Sequence, residues 1–371
     1  MVDLQTQYLH IKDDIDHGIQ EVIDSASFIK GPKVAEFQAH LEAWTGAKHV
    51  ITTGNGTDAL QIALMGLGLK SGDEVITPTF TFIATAEVVA LLGLTPVVVD
   101  VDPNTMNISV EAIKKAITPQ TKAIVPVHLF GQCADMEPIL QLAQEHHLYV
   151  IEDACQAIGA EYRFSDGTIK QAGTMGHIGC TSFFPSKNLG CYGDGGAIFT
   201  NDDALDETMR AIANHGMVVR YHHDRVGVNS RLDSIQAAVL DAKLPHLHDY
   251  THARQQAAAY YNNAFKDNPH IQTPVCISAS THVYHQYTLR LVGVDRDIVR
   301  EGLAAKGIPA MIYYPVPLHM QKAYQDPRYK QGDFPAAEQL VATVLSLPMH
   351  TELDEEQLEY ITRNVLELCK A

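Results

Sequence analysis

The chain has 371 residues, of which 46% are hydrophobic and 19% are charged, and its formal net charge is −17. This composition predicts a folded protein with a sizeable core and excludes a chain that is disordered throughout. Because proteins that bind a nucleic-acid backbone are usually basic, the acidic charge also argues against a nucleic-acid partner.

The sequence indicates a cytoplasmic protein with no membrane partner. Its polar start lacks a secretory apolar core, and no apolar run approaches the roughly 20 residues that cross a bilayer. The six cysteines are scattered without a CxxC pair, and the histidines lack metal-ligand spacing. We therefore expect neither a disulfide framework nor a metal site, and reduced thiols fit the cytoplasm.

Helical and strand patterns alternate through the first part of the chain. Helices are predicted over residues 11–23, 34–44, 59–67, 83–92, 110–117 and 136–145. Short apolar strands are predicted over residues 74–78, 96–101, 122–126 and 148–152. Apolar strands separated by helices indicate a mostly parallel sheet with helices on both faces.

The lengths and types of the predicted elements change near residue 245. Before it, strands are predicted over residues 180–184 and 196–200 and helices over 203–214 and 232–244. After it, long amphipathic helices over 250–265, 298–305 and 355–368 flank strands over 286–292 and 309–314. We predict a large domain over residues 1–244, with an N-terminal helical segment, and a smaller C-terminal α/β domain over residues 245–371.

Two polar motifs follow predicted strands, where open α/β sheets bind ligands. The first is the turn GNGTD at residues 54–58, whose small residues let backbone N–H groups approach an anion at a helix N-terminus. The motif is also compatible with an ordinary turn that caps a helix and binds no ligand. The second contains Glu152 and Asp153 after a buried apolar run. Asp153 could keep a ring nitrogen protonated or cap a helix, and both interpretations stay open.

A third motif surrounds Lys187, between an apolar strand and a loop with four glycines. Most lysines are solvated, but a desolvated amine loses its proton more easily and can attack a carbonyl. The glycines do not form a P-loop, because the pattern GxxxxGK[ST] is absent. A phosphate-binding turn, a buried carboxylate and a Schiff-base lysine are together the three anchors that pyridoxal 5′-phosphate needs.

The motifs GNGTDAL, TPTFTFIATA, EDACQA, SFFPSKNLG and GVNSRLD occur in this order along the chain. Over essentially its whole length the chain resembles the DegT/StrS family of sugar-nucleotide aminotransferases. The resemblance implies an α/β, aspartate-aminotransferase-like fold of pyridoxal-phosphate-dependent transferases. It also implies a homodimer with shared active sites.

The resemblance carries the family's cofactor roles to individual residues of this chain. Lys187 is implied to hold the cofactor as a Schiff base, and Asp153 to bind the pyridine nitrogen. The other implied positions are Gln156 near the phenolic oxygen, Phe82 on the ring face, Gly56, Thr57 and Ser182 at the phosphate, and Asn229 at the phosphate of the neighbouring subunit.

The substrate side resembles enzymes that aminate C3 of a UDP-linked 3-keto-2-acetamido-glucuronic acid. In that subgroup the arginine corresponding to Arg231 and a His-Tyr pair lie near the sugar. Here the pair is Tyr313 and Tyr314, and a tyrosine carries no positive charge near pH 7. Arg231 could bind a uronate carboxylate bidentately or form an interface salt bridge.

The implied reaction moves an amino group from L-glutamate to the 3-keto group of a UDP-2-acetamido-2-deoxy-3-oxo-glucuronate-type nucleotide sugar. Such a reaction serves the biosynthesis of cell-surface polysaccharide, including lipopolysaccharide. An aminotransferase for a dTDP-3-keto- or 4-keto-6-deoxyhexose is the alternative, followed by a non-catalytic regulator on the same fold.

Overall fold

Helices and strands alternate along the chain in the computed structural model, which describes residues 1–370. Within these residues the α-helices, α1 to α13, are Leu4–His10, Lys12–Ser25, Pro32–Thr45, Gly56–Gly66, Ala84–Leu91, Val110–Ala116, Met136–His146, Asp203–Ala213, Ser234–Lys243, Leu247–Phe265, Arg296–Ala305, Pro335–Thr343 and Glu355–Leu368. The strands, β1 to β14, are His49–Thr53, Glu74–Pro78, Thr95–Val99, Thr121–Ile124, Tyr149–Asp153, Glu161–Arg163, Ile169–Gln171, Ile178–Ser182, Gly196–Thr200, Met217–Val219, His222–His223, Ile271–Gln272, Tyr287–Leu291 and Val344–Leu347. Short 3-10 helices span Leu129–Gly131, Leu244–His246, Leu318–Met320 and Lys322–Tyr324.

A seven-stranded sheet forms the centre of the fold, in the order β1-β9-β8-β5-β4-β2-β3. Strand β9 runs antiparallel to both of its neighbours, and the other pairs are parallel. Successive residues of β5 point to opposite faces, so Val150 packs with α6 and α7 whereas Ile151 packs with α4, α5 and α8. The predicted fold, a mostly parallel sheet with helices on both faces, is confirmed.

A second, antiparallel sheet of β12, β13 and β14 lies later in the chain. Its core joins Leu289 and Leu345 to apolar side chains of α10, α11 and α13. The beginning of α10 packs elsewhere, because Leu247 lies in the cluster that contains Phe37 and Leu41 of α3. The predicted domain boundary at residues 244 and 245 stays a prediction, which the separation of the two sheets supports.

The strand predicted over residues 309–314 is wrong. Met311 makes one isolated bridge to Ser346, and the rest of the segment is irregular. Pro309 is its first residue and Pro315 follows its last, and neither can donate a backbone hydrogen bond to a ladder. The segment lies instead along the wall of a cavity. Helix α12, strand β14 and the hairpin of β6 and β7 are not among the predicted elements. Within residues 1–370 we find no helix of the length and apolarity that a membrane span requires.

Candidate active site

A cavity of about 850 Å³ opens at the carboxyl ends of the parallel strands. Its walls come from the turns after β1, β2, β5 and β8 and from segments around residues 285 and 313. The predicted site residues that line it are Gly56, Thr57, Phe82, Asp153, Gln156, Ser182, Lys187, Tyr313 and Tyr314. Parallel strands present their ends at one edge, so motifs distant in sequence meet there.

Asp153 ends β5 and is buried against the cavity. Its Oδ2 accepts a 2.8 Å hydrogen bond from the Thr85 hydroxyl, and its Oδ1 accepts a 3.3 Å bond from the Cys155 backbone N–H. A carboxylate has about four acceptor positions, so capacity remains for a further donor in the cavity. This arrangement suits a carboxylate that binds a protonated nitrogen.

The turn at Gly56 brings the start of α4 into the cavity. Asn55 caps the helix by accepting a 2.8 Å hydrogen bond from the Asp58 N–H. A Cβ atom at Gly56 would lie 2.8 Å from Cβ of Ser182 and 3.0 Å from Sγ of Cys155. A side chain at Gly56 would therefore clash with the turn after β8. The helix N-terminus also directs unsatisfied N–H groups and a favourable dipole toward an anion.

Lys187 is half-buried and lines the cavity. Burial lowers the pKa of Lys187, and the nearby Cys155 and Asp153 partly oppose that shift. The loop around Lys187 is anchored on both sides: the Asn188 amide donates a 2.8 Å bond to the Val283 carbonyl, and Lys243 Nζ donates one of 2.8 Å to the Gly190 carbonyl. The site thus holds an amine that loses its proton more easily than a solvated lysine.

Gln156 and Tyr314 form a hydrogen-bonded wall of the cavity. The Gln156 Oε1 accepts a 2.8 Å bond from the Phe130 N–H, and its Nε2 donates a 3.0 Å bond to the Tyr314 hydroxyl. The half-exposed ring of Phe82 lies 6.2 Å from the Tyr314 ring, centroid to centroid. The amide of Gln156 is therefore fixed in orientation, and the rings of Phe82 and Tyr314 line the cavity beside it.

The model of the DegT/DnrJ/EryC1/StrS aminotransferase family matches residues 9–366. The chain belongs to this family. It is 48% identical over 360 residues, 97% of each chain, to a Pseudomonas aeruginosa protein named UDP-2-acetamido-2-deoxy-3-oxo-D-glucuronate aminotransferase. It is 46% identical, over 100% of this chain and 98% of the relative, to a Geobacillus stearothermophilus protein named pleiotropic regulatory protein. A UDP-N-acetyl-3-dehydro-alpha-D-glucosamine 3-aminotransferase of Acidithiobacillus ferrooxidans is 46% identical, over 97% of this chain and 95% of the relative.

The fold of this DegT/DnrJ/EryC1/StrS aminotransferase also matches a solved structure. DesV of S. venezuelae, crystallised in complex with a ketimine intermediate, superposes with a TM-score of 0.95 at 39% identity. The match covers 100% of this chain and 98% of DesV. The predicted family and its transferase fold are therefore confirmed.

Two buried polar atoms that sequence reasoning missed also line the aminotransferase cavity. His285 Nδ1 and Thr81 Oγ1 have no hydrogen-bond partner among residues 1–370. Burial, with smaller contributions from Lys187 and Arg254, holds the pKa of His285 well below its ordinary value. An unpaired buried polar group is costly, so these two atoms are polar positions in the cavity wall that the protein itself leaves unsatisfied. Thr85, which binds Asp153, was missed as well.

Asn229 and Arg231 lie outside this cavity. Asn229 is exposed and bridges to Asn214, and Arg231 lines a separate cavity of about 270 Å³. Ser230 lies between them in sequence. Its hydroxyl accepts a hydrogen bond from the Gly54 N–H and donates one to the Asp58 carboxylate. The predicted reach of Asn229 to a neighbouring subunit, and the predicted contact of Arg231 with a sugar, therefore stay predictions.

Proposed function

We propose that this aminotransferase uses pyridoxal 5′-phosphate to move an amino group from L-glutamate to a nucleotide sugar. The proposed acceptor is the 3-keto group of a UDP-2-acetamido-2-deoxy-3-oxo-glucuronate-type sugar. The reaction takes place in the cytoplasm and supplies an amino sugar for cell-surface polysaccharide. The observation that carries the proposal is the meeting of Lys187, Asp153 and the Gly56 turn in one cavity. The name of the Pseudomonas aeruginosa relative supports the choice of sugar.

The residues present fit the cofactor. Lys187 would hold it covalently, and Asp153 has free acceptor capacity for the pyridine nitrogen. Gly56, Thr57 and Ser182 meet at the start of α4, where a phosphate is favoured. Phe82 would cover the ring, and Gln156 would bind its phenolic oxygen. When bound, pyridoxal phosphate supplies an electron sink for negative charge at the carbon of the donor.

The chain's own groups would handle the protons. Once the amino group of L-glutamate has displaced it from the cofactor, Lys187 Nζ, which burial biases toward the neutral form, would remove the proton from the α-carbon and pass it to the cofactor. In the second half-reaction it would carry a proton from the cofactor to C3 of the sugar. Asp153 keeps the cofactor nitrogen protonated throughout, because Thr85 and the Cys155 N–H hold its carboxylate toward the cavity.

The proposal includes a homodimer. Asn229 is exposed and lies outside its own cavity, which fits a role at the phosphate of a second subunit. A twofold dimer presents the same surface of both chains, so each Asn229 would reach the other cavity.

The decisive experiment replaces Lys187. Lys187→Ala should abolish both the formation of oxoglutarate from L-glutamate and the visible absorbance of the lysine-bound cofactor. Lys114→Ala, which removes an exposed lysine of α6, should leave both unchanged. Normal turnover in Lys187→Ala would contradict the mechanism, and a wild-type protein that turns over no nucleotide sugar would favour a regulator.

The second candidate is a ketosugar without a carboxylate, such as a dTDP-3-keto- or 4-keto-6-deoxyhexose. It is favoured by Tyr313, whose pKa burial raises, so that its hydroxyl stays uncharged near the sugar. Turnover of paired acceptors by the same enzyme preparation separates the two candidates.

A further inference from the structure

His285 lies in the wall of the active-site cavity, and one of its ring nitrogens has no partner. The side chain is 6% exposed, and its Nδ1 forms no hydrogen bond within residues 1–370. The other nitrogen, Nε2, lies 3.5 Å from the amide of Gln286, a contact too long to fix which nitrogen carries the proton. An unpaired buried nitrogen costs free energy that an apolar side chain of similar size would avoid. Nδ1 is thus available to a polar group that moves within the cavity.

The backbone fixes the position of this histidine. The Val283 N–H donates a 2.8 Å bond to the Gly131 carbonyl, and the Arg254 guanidinium donates a 3.1 Å bond to the Tyr284 carbonyl. A Cβ atom at Gly131 would lie 2.8 Å from the Tyr284 nitrogen and 2.9 Å from the His285 nitrogen, so the approach requires glycine. Tyr284 has a φ of 45°, in the left-handed region that is costly for residues other than glycine. A partner for Nδ1 must therefore come to the imidazole.

The amine of Lys187 is such a group. Lys187 lines the same cavity, and its Nζ forms no hydrogen bond or salt bridge within residues 1–370. The two segments are tied together, because the Asn188 amide donates a 2.8 Å bond to the Val283 carbonyl. The Asn188 oxygen is also unpaired, but this bond anchors its amide. The four-carbon side chain of Lys187, in contrast, can turn toward His285.

The charges around the two groups keep the imidazole neutral. Burial, then the charge of Lys187 and then that of Arg254, hold the pKa of His285 well below its ordinary value. The titratable groups that face Lys187 are Cys155 and Asp153, and burial raises the pKa of the Cys155 thiol. A neutral imidazole has one nitrogen with a free lone pair, whereas an imidazolium would repel an ammonium group. His285 can therefore accept a hydrogen bond from Lys187 after the amine has taken up a proton.

We propose that His285 is a positioning residue whose Nδ1 accepts a hydrogen bond from the Lys187 amine whenever that amine is detached from the cofactor. The bond would hold the displaced amine at one place in the cavity. It would also stabilise the ammonium group that forms when Lys187 removes a proton from the donor. The proposal rests on the proposed function, which makes Lys187 the base.

The test follows the attachment of pyridoxal 5′-phosphate to the apoenzyme. Only the neutral amine of Lys187 attacks the aldehyde, and the visible absorbance of the lysine-bound cofactor reports the rate. The rate should rise with pH to a plateau, with a midpoint set by the pKa of Lys187. His285→Leu keeps a branched side chain and removes the acceptor, so the midpoint should fall by about one pH unit, the effect of one hydrogen bond to a charged group. The titration of the cofactor itself is common to all variants and cancels in the comparison. In the holoenzyme the acidic limb of the kcat profile should move in the same direction.

Three further variants keep the test decisive. His285→Asn places a hydrogen-bonding atom near the position of Nδ1 and should leave the midpoint near that of the wild type. His285→Gln extends its amide past that position and should lower the midpoint, so the Asn and Gln pair carries the test if His285→Leu does not fold. His146→Leu, on the exposed face of α7, should change nothing.

The outcomes separate the role of His285 from the proposed function. An unchanged or raised midpoint in His285→Leu would refute the hydrogen bond to Lys187. An equal fall in His285→Leu and His285→Asn would assign the effect to packing and refute it as well. A wild-type apoenzyme that gains no visible absorbance with pyridoxal 5′-phosphate would refute the proposed function itself.

Discussion

The Thr85 hydroxyl donates a 2.8 Å hydrogen bond to Asp153, and both side chains are buried. Thr85 lies in the first turn of α5, whereas Asp153 ends β5, so the bond joins two elements beneath the cavity. Thr85→Val keeps the shape and removes the donor. We expect kcat to fall by about tenfold, because a buried hydrogen bond to a charged group contributes about 1.5 kcal/mol or more.

Kinetics and the visible spectrum of the holoenzyme measure this effect. Thr85→Ser restores a hydroxyl and should recover most of the rate, which a loss of packing alone would not allow. Unchanged kcat in Thr85→Val would show that the Cys155 N–H suffices to orient Asp153.

The Tyr314 hydroxyl accepts the Nε2–H of Gln156 in a largely buried wall. Tyr314→Phe removes that acceptor and leaves the Gln156 amide free to turn, although Phe130 still holds its oxygen. We expect weaker retention of the cofactor, by about tenfold, since one buried donor loses its partner. Equilibrium dialysis of the holoenzyme measures the retention, with Tyr360→Phe on the exposed face of α13 as the control. Equal retention in both variants would contradict the role of Tyr314.

Glu152 accepts four hydrogen bonds in the core behind Asp153. The donors are the backbone N–H groups of Gly173, Met175 and Gly176, at 2.6–2.8 Å, and Nε2 of His128, at 2.8 Å. The Ala134 N–H donates a hydrogen bond to Nδ1 of His128. Because Nδ1 is therefore an acceptor, Nε2 carries the proton.

Glu152→Gln would place an NH2 group against two of these donors. We expect the free energy of unfolding to fall by about 3 kcal/mol, because buried donors lose their acceptors. Denaturant titration measures the loss, and Glu145→Gln on the surface of α7 should change little. A stability equal to that of the wild type would mean that the loop over residues 173–176 rearranges freely.

Lys243 is a buried lysine whose pKa burial lowers to about 8. Its ammonium contacts the Gly190 carbonyl and lies 4.4 Å from the centre of the Tyr192 ring. From pH 8 to the ordinary value of 10.5, the folded state holds this group neutral while the unfolded state holds it charged. Raising the pH through this window therefore stabilises the folded protein.

Lys243→Met lacks that titration. The free energy of unfolding of the variant, minus that of the wild type, should fall by about 1 kcal/mol for each unit by which the pH rises within the window. Unfolding curves between pH 7 and pH 10 measure the difference, and Lys114→Met should run parallel to the wild type. A constant difference for Lys243→Met would refute the lowered pKa.

Features within one motif could be predicted from the sequence, and contacts between motifs could not. The apolar runs of β2 and β9 and the helix α13 have the predicted bounds, because burial alone determines their pattern. The cavity position of Lys187 follows from its small and apolar flanks together with the family resemblance.

The bond of Thr85 to Asp153 depends on how α5 lies against β5, and no local pattern signals it. The unpaired nitrogen of His285 likewise appears only when the segment before β13 meets the large sheet. The strand predicted over residues 309–314 failed for a different reason. Ile312, Tyr313 and Tyr314 line a cavity, and the prolines at positions 309 and 315 cannot donate to a strand ladder.

The strand that leads into Gly56 has a partner far along the chain. β1 stands at one end of the large sheet and pairs with β9, His49 opposite Thr200. During synthesis on the ribosome, β1 leaves the exit tunnel long before β9. The edge of β1 that pairs with β9 therefore has no partner until residue 200 has emerged. Open strand edges invite pairing with other chains. We therefore expect the nascent chain to be more prone to aggregation before β9 emerges than after the two strands have paired.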